Sequence, residues 1–185
     1  NAWLATIHED DVVIMAGDLS WAMNISDAIQ DLKMLGSLPG RKIVGRGNHD
    51  YWWDTVTKMT RMTEGAFEFL FNSAIDVGGV ALAGTRGWIS ETSPKLTEAD
   101  RPIIAREEGR MERSLELAEK MNVPRIMAVL HYPPFDEMKK PNHMLEIMKA
   151  HHVTDCIYGH IHGSPNFVNL PEELEGIHLH LTSAD

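Results

Sequence analysis

Four times along this chain a short apolar run ends abruptly in residues able to bind a cation. Residues 12–16, Val-Val-Ile-Met-Ala, lead into Gly17-Asp18, and Lys42-Ile43-Val44 leads into Gly45-Arg46-Gly47-Asn48-His49-Asp50. Residues 126–130, Ile-Met-Ala-Val-Leu, lead into His131, and Cys156-Ile157-Tyr158 leads into Gly159-His160-Ile161-His162. Runs of this length, rich in Val and Ile and without polar alternation, read as strands buried on both faces, as in a sheet covered by helices. The segments between them supply the helices. Residues 24–35 open on the capping candidates Asn24 and Ser26 and stop at Gly36, residues 102–121 are charged on one side and apolar at near-helical spacing, and residues 143–150 form a shorter helix. Residues 74–84 read as a hairpin turning at Gly78-Gly79, and residues 177–182 alternate as a further strand. The fold class is α/β with a β-hairpin addition. In open sheets of this kind ligands gather at the carboxyl ends of the strands, so the four polar clusters are expected to converge on one edge.

A length of 185 residues without repeat or linker fits one domain spanning 1–185. The 17 basic and 27 acidic residues leave a net charge of −10, which argues against attraction of nucleic acid or anionic membranes by bulk charge. An anionic substrate therefore needs a local positive centre, and bound divalent cations supply one whatever the surface carries. No apolar stretch approaches the roughly 20 residues that span a bilayer. The single cysteine, Cys156, rules out an internal disulfide and reads as a small buried hydrophobe, so a reducing, cytoplasmic setting is expected.

Each polar cluster has a chemical and a plainer reading. Asn48 offers a neutral carbonyl oxygen, His49 can donate or accept a proton, and Asp50 can hold its imidazole in one tautomer, although the same string also suits a polar turn. His160 and His162 stand two apart, so on an extended segment they point the same way, and neutral imidazole is the commonest metal-binding side chain. Asp18 after Gly17 and His131 before Tyr132-Pro133-Pro134 are weak signals alone, since Gly-Asp is common in turns. Together, Asp18, Asn48, His131, His160 and His162 form a mixed oxygen and nitrogen set suited to Mn, Fe or Zn and too rich in nitrogen for calcium. Trp21, Tyr51, Trp52, Trp53, Trp88 and Tyr132 crowd the same loops, either as packing or as a stacking rim. His151, His152, His178 and His180 read as structural.

The order Gly-Asp, Gly-Asn-His-Asp, His and Gly-His-x-His, running from residue 17 to 162, is similar to that of the calcineurin-like metallophosphoesterases. The resemblance implies a four-layer α/β/β/α sandwich and a phosphoester substrate, a monoester or a diester, hydrolysed by metal-activated hydroxide at two divalent ions, with Mn favoured. It implies that Asp18 bridges the ions, that Asn48, His131 and His160 complete one of them, and that His162 binds the other. His49, paired with Asp50, becomes the general acid, and Arg46, directly before Gly-Asn-His, contacts the substrate phosphate unless it serves a salt bridge instead. The Asp-x-His with which the family begins is absent before Asp18, so its strand and motif are expected upstream of this sequence. The competing expectation is a non-catalytic scaffold that keeps the fold and binds a protein partner.

Overall fold

The computed structural model describes residues 2–163 and 168–183. After a short helix α1 (Ala2–Thr6), the strands β1 (Val12–Met15), β2 (Arg41–Val44) and β3 (Glu68–Phe69) form a three-stranded parallel sheet in that order. The helices α2 (Ile25–Gly36) and α3 (Val56–Met62) make its crossovers. Asn24 caps α2 as its sequence suggests, its Oδ1 accepting from Asp27 N at 3.1 Å.

A six-stranded sheet follows, built from β4 (Ser73–Asp76), β5 (Val80–Thr85), β6 (Arg125–Leu130), β7 (Asp155–Tyr158), β8 (Glu173–Leu174) and β9 (Ile177–Leu181) in the order β4-β5-β6-β7-β9-β8. Its four central strands are parallel, and β4 and β8 flank them antiparallel. The hairpin β4–β5 turns where expected, through Gly78 at φ 77° and Gly79 at φ 93°, values that glycine adopts without strain. The crossovers are α4 (Arg101–Glu119), opening on Pro102, and α5 (His143–Ala150).

Residue alternation along the strands shows how the layers stack. In β2, Ile43 enters the cluster between the sheets with Leu82 and Val129, whereas Val44 joins Leu32, Trp52 and Met59 beneath α2 and α3. In the larger sheet Met127, Val129 and Ile157 face the other sheet, and Ala128, Leu130, Cys156 and Tyr158 pack under α4 and α5 with Met111, Leu115 and Met148. The result is a four-layer α/β/β/α sandwich. Its innermost layer is dry: Ile43 and Leu82 are 0% and 1% exposed, and burial of such side chains contributes about 2 kcal/mol each. The four layers are those the resemblance implies, with the one open sheet suggested by the strand pattern alone replaced by two whose strand ends still converge. Two sheets meet face to face, and the polar loops divide between them. Among the described residues no helix is long and apolar enough to cross a membrane.

Candidate metal centre

Asp18 follows β1 and Asn48 follows β2 in the smaller sheet; His131 follows β6 and His160 follows β7 in the larger one. Parallel strands in both sheets deliver these loops to one place. His131 Nε2 lies 2.6 Å from Asn48 Oδ1 and 3.4 Å from Asp18 Oδ2, while His160 Nδ1 lies 3.0 Å from Asn48 Oδ1 and 3.2 Å from His131 Nε2.

His131 Nδ1 sits 2.9 Å from the carbonyl oxygen of Ala16, which can only accept, so the ring proton belongs on Nδ1 and a lone pair on Nε2. That lone pair faces the Asn48 carbonyl oxygen, another acceptor, and Asp18 Oδ2 is buried beside them without a hydrogen-bond partner. Acceptor atoms that face one another in this way repel, and a divalent cation is one group that could satisfy them together. Burial, and then the His131 ring, push His160 down to about 4, and burial lowers His131 against the opposing field of Asp18. Both imidazoles are therefore neutral near pH 7, the form that donates to a metal. By the donors it presents, the cluster fits the expected ions. Among the described residues no group of three or more His, Cys, Asp or Glu meets the spacing of a ready-made metal site; the amide oxygen of Asn48 lies at the centre of this cluster, in contact with both rings.

Backbone strain collects at the same residues. Asp18 and His160 adopt φ of 60° and 68°, the left-handed region that side-chain-bearing residues avoid and that recurs at functional sites. Two glycines allow the loops to touch: a Cβ on Gly47 would collide with the Asp18 carboxylate and amide, and one on Gly17 with the backbone of Arg46 and Gly47.

Asp50 does not hold the His49 ring. Its Oδ2 accepts from Asp18 N at 2.8 Å and Gly47 N at 2.7 Å, and its Oδ1 accepts from Leu19 N and Trp52 Nε1, both at 2.9 Å. The carboxylate ties the two loops of the smaller sheet together; burial pushes its pKa up against these donors. His49 instead gives its backbone N–H to Asp18 Oδ1 at 2.8 Å, and its buried Nδ1 has no partner. His162 is exposed and lines one cavity with His160.

Arg46 lies half-buried, lowered in pKa by burial and held in the opposing fields of Glu107 and Asp50. Glu107, fully buried in α4, accepts from Thr85 Oγ1 at 2.5 Å and Arg110 Nη1 at 2.6 Å, and Arg86 Nη2 approaches it at 3.8 Å. Sequence reasoning passed over Arg86 and Glu107. Arg86 follows β5 as the other site residues follow their strands, and that position was the available signal; Glu107 sits among other charged helix residues and offered none. His180, by contrast, keeps the structural role expected of it, with Nε2 3.0 Å from Asp155 Oδ1.

Fold and cluster together define an α/β/β/α sandwich carrying, at its strand ends, a donor set of the kind that holds divalent cations. The sequence profile of the calcineurin-like phosphoesterases matches residues 1–164, and the chain belongs to this family, whose members generally use divalent metal ions. No curated protein sequence gives a significant match. Among solved structures, the phosphopantetheinyl hydrolase of Mycobacterium tuberculosis superposes with a TM-score of 0.60 at 13% identity, over 96% of this chain and 81% of that one. The protein TT1561 of Thermus thermophilus superposes with a TM-score of 0.59 at 13% identity, over 82% and 70%. At that identity both likenesses concern the fold.

Proposed function

We propose that this chain hydrolyses a phosphomonoester or phosphodiester at two divalent ions, Mn favoured over Fe or Zn. Asp18, Asn48, His131 and His160 are the proposed ligands of one ion, with Asp18 shared and His162 directed to the second. One observation carries the reading: four loops from two sheets bring Asp18 Oδ2, Asn48 Oδ1, His131 Nε2 and His160 Nδ1 together, with neighbouring atoms 2.6–3.4 Å apart. When bound, the ions supply charge neutralisation at the phosphoryl group and a nucleophile available near neutral pH. The chain's own residues do the rest. Arg46 is assigned to the non-bridging phosphate oxygens, where a guanidinium matches the geometry bidentately. His49 protonates the leaving oxygen, its ring held in plane by the stacked Trp21. Asp50 positions both loops. That a fold neighbour is a phosphopantetheinyl hydrolase accords with this, and the buried free thiol of Cys156 accords with a cytoplasmic setting.

The test supplies Mn²⁺ with nitrophenyl and alkyl phosphoesters to the wild type, Asp18→Asn and His49→Ala. Turnover that falls at least about a hundredfold on both ester types in Asp18→Asn, and on the alkyl esters in His49→Ala, upholds the assignment. Equal turnover in all three discards it.

A further inference from the structure

A cavity of about 690 Å³ opens from His160 and His162 and runs between residues 88–100 and 132–139. Its volume lies within the range of pockets for whole small molecules and far exceeds the needs of a phosphoryl group alone. An aromatic wall leads outward from the proposed centre: Tyr132 packs on His160 at 4.1 Å between centroids, and Trp88 packs on Tyr132 at 5.2 Å. Ionic side chains also line the cavity, and they divide into two kinds.

The carboxylates are engaged. Asp100 accepts from Trp88 Nε1 at 2.8 Å and from Thr97 N and Oγ1 at 2.8 and 2.6 Å; Asp136 accepts from Thr92 Oγ1 and Met138 N, both at 2.8 Å, and from Lys140 N at 3.0 Å; Glu137 accepts from Ser93 Oγ at 2.7 Å. Asp136 and Glu137 fasten the two cavity walls to one another, and Asp100 closes the first wall on itself. The ammonium groups of Lys95 and Lys139 form no ion pair among the described residues, and both line the cavity. Lys139 is the more informative. It sits at φ 64°, where glycine or asparagine is expected, in a tight turn closed by Lys139 N to Asp136 O at 2.9 Å and Asp136 N to Lys140 O at 2.9 Å. Its Nζ lies 5.5 Å from the Phe135 ring at the cavity wall. A lysine kept where the backbone favours glycine, with an unpaired charge at a binding cavity, points to a ligand for that charge.

We infer that this cavity receives the alcohol portion of the substrate, an apolar or planar body against Tyr132 and Trp88, and that Lys139, aided by Lys95, grips a second anionic group on it. The substrate class is then a phosphoester whose leaving group bears its own phosphate or carboxylate. This deepens the phosphoester reading above and rests on it.

Calorimetric titration of the Mn²⁺-loaded protein with phenylphosphonate and with 1,4-phenylene and 1,4-xylylene bisphosphonates compares one anion with two on a shared aromatic body. At least one bisphosphonate should bind roughly tenfold tighter than phenylphosphonate to the wild type, and Lys139→Gly should abolish the difference while leaving Tm unchanged or higher, because glycine suits the turn. 4-Carboxyphenylphosphonate, compared with phenylphosphonate in the same way, separates carboxylate from phosphate as the second group. Equal affinity for all the phosphonates in the wild type, or a difference that survives in Lys139→Gly, overturns the proposal. A two-anion preference in a protein that turns over no ester would uphold the cavity assignment and overturn the catalytic one.

Discussion

The indole of Trp21 lies on the imidazole of His49, with 4.0 Å between ring centroids and 14° between planes, although Trp21 is 69% exposed. Tyr51 meets the other ring edge-on at 6.0 Å. A large aromatic left in water contributes little to the core, so the contact itself is its chief work. It fixes the plane of the ring proposed to protonate the leaving group, and stacking of this kind is worth about 1 kcal/mol. Trp21→Ala should lower kcat roughly fivefold on alkyl phosphoesters, which need the proton, and much less on nitrophenyl esters, which do not. Trp21→Phe should restore most of it. Tm should move little, and equal losses on both ester types would refute the positioning role.

The contact of Gly47 with Asp18 makes a second prediction sharp. Any Cβ at residue 47 strikes the Asp18 carboxylate, so Gly47→Ala must push apart the loops that carry Asp18 and Asn48. Metal analysis of the purified variant should show less than half the wild-type Mn content. The fold should persist by circular dichroism, with a loss of about 2 kcal/mol of stability in denaturant melts. Full metal content would show that the loops relax without consequence.

Much of this arrangement was legible in the sequence because parallel strands buried on both faces carry continuous apolar runs, and each run ended in a polar residue. The division into two sheets was legible only through the family resemblance of the motifs, not in the strand pattern itself. When both faces of a strand are buried, the alternation that separates Ile43 from Val44 is hidden, since each is apolar. The strands β3 and β8 are two residues long and leave no pattern. Asp50 was misread because neighbours in sequence were taken as neighbours in space. Three of its four donors are backbone N–H groups, which no side-chain pattern reports. Glu107 escaped because its partners Thr85, Arg86 and Arg110 become close only after α4 packs on the larger sheet.

Away from the centre, Asp155 sets a pH dependence. Burial alone would raise its pKa, but donation from Thr154 Oγ1 at 2.6 Å, the nearby His180 ring and Arg125 Nη2 at 2.7 Å prevail and hold it well below the usual carboxylate range. A carboxyl depressed in the folded state stabilises fully above its unfolded pKa of about 4 and loses that contribution as pH falls toward its folded value. Asp155→Asn should therefore lower stability by about 2 kcal/mol at pH 7, with a difference from wild type that shrinks steadily between pH 5 and the acid limit. Thermal melts across that range check it; a constant difference would place the effect elsewhere.

Cation binding should be visible in stability before any substrate is added. A ligand that binds only the folded state stabilises it by about 2.7 kcal/mol at a hundredfold excess over its Kd. Mn²⁺ should accordingly raise Tm in the wild type by several degrees, whereas Mg²⁺, which prefers oxygen donors, should do so less. His131→Ala removes the imidazole whose Nε2 faces both Asn48 Oδ1 and Asp18 Oδ2, so it should abolish the Mn²⁺ shift. The same variant loses the buried link to the Ala16 carbonyl and should melt lower even without metal. The decisive quantity is thus the difference with and without Mn²⁺ within each protein. A shift of equal size in His131→Ala and wild type would mean that the ion binds somewhere other than between these four loops.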